Sequence, residues 1–303
     1  MARILVIGLN PAWQTILSFD ELKLGEVNRS KTSSQFASGK GFNVAKVLKN
    51  FGHEIFLLQV LGGELGQCIE KECEELGIYS LSVWVKEETR RCTTLLSKNG
   101  VATELISPFK IDPSEARGVD EKILQEVLPK EMLKKHFDLI LFCGSIPKGL
   151  DENIFSRIVK LLPTIPYMVD AWKNLDQEFI EKALCFKINL AEYSALKMTF
   201  RNHLPNADFA ITDGGEQAKM IHQNKLIHVY TLPQIERLMN PIGAGDTVMA
   251  GLAHYYLQSR NLSDAFKKGL GMGMASCLEW MPSEFDQENA KEFESNILVT
   301  EIT

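Results

Sequence analysis

The sequence predicts a doubly wound α/β fold, and three observations carry that prediction. Short apolar runs recur at 4–9, 55–61, 139–143, 167–170 and 209–212, each the length of a buried parallel strand. A helical pattern follows each run within a few residues, so strand and helix alternate along the chain. No internal repeat or low-complexity linker interrupts the alternation, and 303 residues with 45% apolar content supply core for one large α/β domain or two smaller ones.

The run at 4–9 is too short to span a membrane, and Gly8, Asn10 and Pro11 break it without a signal-peptide cleavage pattern following. The next segment, 13–36, is strand-like but alternates less cleanly and contains no helix. A second such segment covers 81–106. From pattern alone the two are either a separate small sheet or edge strands of the main one.

Between these segments, Ala37-Ser38-Gly39-Lys40-Gly41-Phe42-Asn43-Val44-Ala45 opens an amphipathic stretch running to Phe51. Val44, Val47, Leu48 and Phe51 share one face, so a glycine loop meets a helix N-terminus. It is not a Walker A loop, because Gly41 follows Lys40 and Ser34 stands where that motif needs its first glycine. A lysine and an asparagine flanking bare backbone suit a sugar or sugar phosphate better than a triphosphate. Taken singly, Lys40 reads as a solvated charge and Asn43 as a helix cap.

The later runs lead into further small-residue or polar turns. Gly144-Ser145-Ile146-Pro147-Lys148-Gly149 follows 139–143, Lys187-Ile188-Asn189-Leu190-Ala191-Glu192 joins a strand to a helix, and Thr212-Asp213-Gly214-Gly215 closes the run at 209–212. Ligands of open α/β sheets sit beyond the carboxyl ends of the strands, where these turns lie. The most informative stretch is Asn240-Pro241-Ile242-Gly243-Ala244-Gly245-Asp246-Thr247, with a helix expected over 246–258. Gly243 and Gly245 allow successive N–H groups to converge on an anion at the positive end of that helix, and Asp246 adds a carboxylate. Phosphoryl transfer needs positioning, charge stabilisation and a base near the acceptor hydroxyl, all available within these few residues. The plain alternative is a small-residue turn with Asp246 as N-cap.

The formal charge of −6 comes with no basic stripe, which argues against a nucleic-acid partner. Six cysteines, at 68, 73, 92, 143, 185 and 277, lack any Cys-x-x-Cys pair and read as reduced core thiols. A cytoplasmic protein with no membrane partner is expected.

The two glycine loops, in this order and at this separation, resemble the two signatures of the PfkB (ribokinase-like) carbohydrate kinases. Asn10-Pro11-Ala12, Leu61-Gly62-Gly63-Glu64-Leu65-Gly66 and Thr89-Arg90-Arg91-Cys92 extend the likeness over most of the chain, as do the later turns. It is strongest to the branch holding 1-phosphofructokinase and tagatose-6-phosphate kinase. The resemblance implies one ribokinase-like domain over 1–303, with a mostly parallel sheet flanked by helices and a small β-sheet lid from about 11–36 and 80–106. It also implies a homodimer formed through that lid, with ATP and magnesium (Mg2+) as cofactors and a small-molecule sugar or sugar phosphate as acceptor.

Residue by residue, the family pattern makes Asp246 the base, ionised at neutral pH without any raised pKa. The N–H groups from Ile242 to Asp246, over Gly243, Ala244 and Gly245, become the anion hole. Lys187, Thr212, Asp213, Gly214 and Gly215, with Gly243 and Gly245, fall on the nucleotide. Asn189 and Glu192, three apart at a helix start, would hold magnesium, where their plain reading is a cap and a first-turn acid. Gln14, Gly39, Lys40, Asn43 and Arg90 would bind the acceptor, with Arg29 as a further cation. Strand alternation puts Arg90 and Arg91 on opposite faces, and the motif selects Arg90.

Departures concern the substrate. Gln14 stands where relatives carry an aspartate that accepts from two sugar hydroxyls, and it offers one neutral acceptor and two donors instead. Ser38 replaces a glycine beside the sugar, and Gln217 replaces one after the nucleotide turn. The segment 277–282 lacks the small residues usual at the adenine edge. A kinase for an unphosphorylated sugar or nucleoside is therefore a second reading, and a non-catalytic sugar-phosphate sensor a third.

Overall fold

Alternate residues of the first apolar run enter two different cores. Ile4 and Val6 pack with Val44, Leu48 and Leu252, whereas Leu5 and Ile7 pack with Phe56, Phe142 and Ile154. A strand so placed is covered on both faces, as the uninterrupted apolar pattern requires. The computed structural model describes residues 1–98, 101–132, 135–201 and 203–302.

In chain order, strands β1 (Arg3–Ile7), β2 (Ala12–Phe19) and β3 (Thr32–Ser38) precede helix α1 (Lys40–Asn50). Strand β4 (Glu54–Gly62), helix α2 (Gly63–Leu76) and strands β5 (Tyr79–Val85), β6 (Arg91–Ser97) and β7 (Ala102–Ile106) follow. Helix α3 (Pro113–Glu121), a π-helical segment Lys122–Val127 and α4 (Leu128–Met132) lead to β8 (Leu139–Cys143), α5 (Ile154–Leu161), β9 (Tyr167–Asp170) and α6 (Gln177–Lys182). Then come β10 (Cys185–Asn189), α7 (Leu190–Thr199) and the strands β11 (Phe209–Asp213), β12 (Gln217–His222) and β13 (Lys225–Thr231). Helices α8 (Ala244–Ser259), α9 (Leu262–Ser276) and α10 (Gln287–Asn296) and strand β14 (Leu298–Glu301) complete the order.

The large sheet runs β14-β13-β12-β11-β10-β9-β8-β1-β4-β5, parallel from β5 to β11 and antiparallel beyond. The chain leaves β1 for β4 on one side and reaches β8 on the other. This reversal opens a crevice beyond the carboxyl end of β1, which is where an open α/β sheet binds ligands. Asn10 spans it, donating from Nδ2 to Ser145 Oγ at 2.8 Å.

A four-stranded sheet, β3-β2-β6-β7, stands over this end; β2 and β6 are parallel and the outer pairs antiparallel. Its second segment begins later than the expected 80. Tyr79–Val85 pairs in parallel with β4 from Phe56↔Tyr79 to Gly62↔Val85, so it is an edge strand of the large sheet. The small sheet rests on 280–281: Ile16, Phe36 and Leu96 pack with Trp280 and Met281, and Trp280 Nε1 donates to Ser34 Oγ at 2.9 Å. Five cysteines are buried, but Cys68 is exposed on α2, so the expectation of core thiols holds for all but one. Among the described residues no helix is long and apolar enough to cross a membrane.

Candidate active site

Asp170 ends β9, a strand otherwise apolar and buried, and is itself wholly inaccessible to solvent. The start of that strand is fixed by Tyr167, whose hydroxyl donates to the Phe179 carbonyl at 2.6 Å. A carboxylate in such a place needs partners, since an unpaired buried charge costs several kcal/mol. It has two. Lys40 Nζ lies 2.6 Å from Oδ1 and Lys187 Nζ 2.6 Å from Oδ2. Burial alone would raise the Asp170 pKa, but the two ammonium groups hold it below the usual carboxylate range. Lys40 also donates to Glu192 Oε1 at 3.2 Å. Its burial disfavours the charge, yet Asp170, Glu192 and Asp246 together hold it above the usual lysine range.

Asp246 lies in the first turn of α8, whose N-cap is Gly243 in the left-handed region at φ 78°. The helix thus begins two residues earlier than expected, and Asp246 is not its cap. A side chain at Gly243 would be doubly excluded, because a Cβ there would stand 2.9 Å from Pro282 Cβ and would also carry the positive φ. Asn43 Nδ2 donates to Asp246 Oδ2 at 2.6 Å, and Ser38 Oγ lies 3.4 Å from Asn43 Oδ1. Asn43 is therefore no cap; it ties α1 to α8. Burial, then the Asp170 charge, push the Asp246 pKa up to about 6, against Lys187, Lys40 and the Asn43 hydrogen bond. The group is raised, contrary to the sequence expectation, yet still mostly ionised at neutral pH.

The cradle beside it is narrower than expected. Ile242 N–H is engaged by Asn240 Oδ1 at 3.0 Å, and Ala244 N–H by the Pro241 carbonyl at 3.3 Å. The N–H groups of Gly245 and Asp246, among the first-turn donors of α8, meet no acceptor among the described residues. A Cβ on Gly245 would stand 3.0 Å from Lys187 Nζ, so this lysine sits directly against the cradle.

These groups face one cleft of about 380 Å³, lined by Gln14, Gly39, Lys40, Asn43, Arg90, Lys187, Asn189, Glu192, Thr212, Gly243, Gly245 and Asp246. A second cavity of about 200 Å³, reaching Asn10, Ser145 and Asp170, shares Lys40, Arg90 and Glu192 with it. Arg90 immediately precedes β6; its guanidinium donates to the carbonyls of Asn10 at 2.8 Å and Pro11 at 3.2 Å. Burial lowers its pKa against the opposing charges of Cys92 and Glu104, and no carboxylate lies within ion-pair distance of it among the described residues. Gln14 is buried and donates from Nε2 to Thr94 Oγ1 at 2.7 Å. Arg29 is not brought to the site. It lies exposed in the loop between β2 and β3 and lines neither cavity.

On the other side, Asn189 caps α7 in a capping box. Its Oδ1 accepts from Glu192 N–H at 2.8 Å, and Glu192 Oε2 accepts from Asn189 N–H at 3.0 Å. Asp213, Gly214 and Gly215 lie beyond the cleft lining, in a turn where a Cβ on either glycine would meet nothing within 4 Å. Asp213 Oδ2 accepts from Gln217 Nε2 at 3.4 Å, so Gln217 closes this turn. No group of three metal-ligating side chains occurs among the described residues. Glu192 nonetheless suits magnesium that arrives on phosphates, since that ion commonly takes one or two carboxylates and keeps several waters.

Sequence reasoning missed Asp170 and Glu104. A lone aspartate ending an apolar strand was the available sign for the first. Glu104, on β7 opposite Thr94, lines the same cleft; nothing in its local sequence distinguishes it.

A model of the pfkB family carbohydrate kinases matches residues 1–284. The tagatose-6-phosphate kinase of Staphylococcus epidermidis is 29% identical over 321 aligned positions, covering 99% of this chain and all of that protein. Among solved structures, a possible 1-phosphofructokinase from Thermotoga maritima superposes with a TM-score of 0.81 at 18% identity, covering 99% of this chain and 100% of that one. Phosphofructokinase-2 from Escherichia coli, in complex with potassium, gives 0.79 at 16% identity, covering 98% and 99%. At such identities the structural likeness concerns the fold.

Proposed function

The chain belongs to the pfkB family of carbohydrate kinases, phosphotransferases with an alcohol group as acceptor, and from that premise we propose that it transfers the γ-phosphoryl group of ATP to a hydroxyl of a ketohexose phosphate. Tagatose 6-phosphate and fructose 1-phosphate are the acceptors closest to the named relatives. The observation that carries this reading is the Asp246 carboxylate, buried in the same cleft as Arg90 and Lys40 and directly beside the unengaged N–H groups of α8.

Asp246 orients the acceptor hydroxyl and takes its proton as the oxygen bonds to phosphorus and the bond to ADP breaks. A pKa of about 6 keeps it ionised at neutral pH and makes it a stronger base than an ordinary carboxylate. The N–H groups of Gly245 and Asp246, with Lys187 against them, stabilise charge on the transferring oxygens. Arg90 takes the acceptor's own phosphate, because its remaining N–H donors make no ion pair among the described residues. Lys187, Thr212 and the 213–215 turn form the nucleotide side. Glu192, with Asn189, would hold magnesium carried by the nucleotide, which would neutralise phosphate charge. Residues 1–303 then act as a single kinase domain, with the small sheet as a lid over the acceptor. Exposed Leu105 and Ile106 on β7 support a homodimer through that sheet, and the buried free thiols suit the cytoplasm.

ADP release measured over a panel of sugars and sugar phosphates tests the proposal. Turnover confined to phosphorylated ketohexoses is expected. Turnover only with unphosphorylated sugars or nucleosides, or binding without turnover, overturns it.

A further inference from the structure

Among the described residues Lys40 and Arg90 line both cavities, and Lys40 is the one of the two already bound to acids on the nucleotide side. Its ammonium has three donors. One is spent on Asp170 at 2.6 Å and one on Glu192 at 3.2 Å, leaving a third. The two contacts are unequal. Asp170 is fully buried and among the described residues has Lys187 as its one other cation, so removing Lys40 from it would leave a partly uncompensated charge in the interior. Glu192 is more accessible, its contact is longer, and its other oxygen is already satisfied by Asn189 N–H. The Glu192 contact is the one that can give way.

Resting on the functional reading above, we propose that Lys40 couples the two substrate sites: a phosphate on the acceptor draws its ammonium off Glu192, and the carboxylate oxygen so released becomes available to the nucleotide's magnesium. Across the two cavities Lys40, Arg90, Lys173 and Lys187 balance Asp170, Glu192, Asp246 and Glu104. An incoming phosphate dianion upsets that balance on the Arg90 side, and Lys40 turns toward it while remaining on Asp170. The same ammonium repels a dication at Glu192 as long as it stays there. Each ligand therefore favours the other, and linkage requires the two effects to be equal.

Calorimetric titration with magnesium AMP-PNP, a non-transferring nucleotide, in the absence and presence of tagatose 6-phosphate or fructose 1-phosphate reads this directly. In the wild type the sugar phosphate should tighten nucleotide binding about fivefold or more. In Lys40→Met that coupling should vanish, while magnesium AMP-PNP alone binds as tightly as to the wild type or more tightly, because the competing cation is gone. Glu192→Gln keeps Lys40 and, in protein that still binds magnesium AMP-PNP and the sugar phosphate separately, should also abolish the coupling, which guards against a folding defect in the first variant. Coupling that persists in either folded variant overturns the proposal. So does weaker nucleotide binding in Lys40→Met, which would make Lys40 a nucleotide clamp. A wild type that binds both ligands without mutual effect defeats this inference and leaves the kinase reading intact; one that binds neither defeats both.

Discussion

The carboxamide of Asn43 donates to Asp246 Oδ2 across 2.6 Å, linking the first turn of α1 to the first turn of α8. Two loops separated by 203 positions thus meet at one carboxylate oxygen. The bond fixes the carboxylate's orientation and stabilises its ionised form, while the other oxygen is left to face an acceptor. In the proposed reaction the aspartate receives a proton, beyond its place as a first-turn acid of the helix.

Asp246→Asn should lower turnover by at least about a hundredfold, the usual effect of losing a general base. AMP-PNP affinity should change little, since the cradle's N–H groups are backbone. The substitution is nearly isosteric and can still present a carbonyl oxygen to Asn43. A variant keeping more than about a tenth of wild-type turnover would remove Asp246 from the role of base.

Asp170 should shift the pH dependence of the reaction through Asp246. In the proposed reaction ionised Asp246 is the active form, so kcat/KM should rise with pH through about 6 and then level. Burial and the Asp170 charge are what raise that pKa, whereas Lys40 and Lys187 lower it. Asp170→Asn removes a raising influence and leaves both lysines, so the acid limb should move to lower pH. Substrate phosphates also titrate near pH 6, but identically with both enzymes. A limb that stays in place belongs to the substrates.

What the sequence made legible was what glycine and periodicity encode locally. Buried parallel strands announce themselves as apolar runs, and the loops at Gly39 and Gly243 announce themselves because few other residues allow such backbones at a helix start. Asp170 was illegible because its partners Lys40 and Lys187 lie 130 and 17 residues away, and only the fold brings them together. The 79–85 segment was ambiguous because half-buried strand patterns look alike in an edge strand and in a separate sheet. Its position after α2, in register with β4, decided it. Arg29 was selected by charge alone, and charge carries no information about which way a loop turns.

A pair of buried histidines should make stability fall in mild acid. His53 Nε2 lies 2.8 Å from His254 Nδ1, His53 Nδ1 accepts from Ala2 N–H, and Gln258 closes the chain at His254 Nε2. Ala2 N–H needs a lone pair on His53 Nδ1, so His53 donates from Nε2 to His254 Nδ1; both rings are neutral, and His254 carries its proton on Nε2, which needs the carboxamide oxygen of Gln258 turned toward it. Burial and the neighbouring ring push the His254 pKa from 6.5 down to about 4. Between those values the unfolded chain binds more protons than the folded one, so stability is complete above pH 6.5 and declines as pH falls toward 4. Denaturant midpoints across that range check this. His254→Gln should flatten the decline even if it lowers stability at neutral pH, and an equal slope would place the acid sensitivity elsewhere.

Arg90→Ala should raise the KM for a phosphorylated acceptor by about tenfold or more, the effect of losing a bond to a charged group worth about 1.5–3 kcal/mol. The KM for ATP should move far less. Comparable effects on both substrates would mean that the guanidinium serves the cleft as a whole and clamps no particular phosphate.

Gln14 is where the chain speaks most specifically about its own substrate. One Nε2 hydrogen is committed to Thr94 Oγ1 at 2.7 Å, so Gln14 has one neutral carbonyl oxygen and one N–H left for the cleft it lines. A carboxylate there would accept from two hydroxyls as a charged group, with the Thr94 hydroxyl turning to donate to it. Gln14→Asp should therefore redistribute kcat/KM among fructose 1-phosphate, fructose 6-phosphate and tagatose 6-phosphate. Acceptors that present two hydroxyls to the position should gain about tenfold, the ~1.4 kcal/mol that one better hydrogen bond supplies. The acceptor best served by the wild type should lose, because a group matched to an amide would then meet a carboxylate. Steady-state kinetics on the three sugar phosphates reads both effects at once. An unchanged profile would put Gln14 outside the acceptor site and deprive the small sheet of its part in substrate selection.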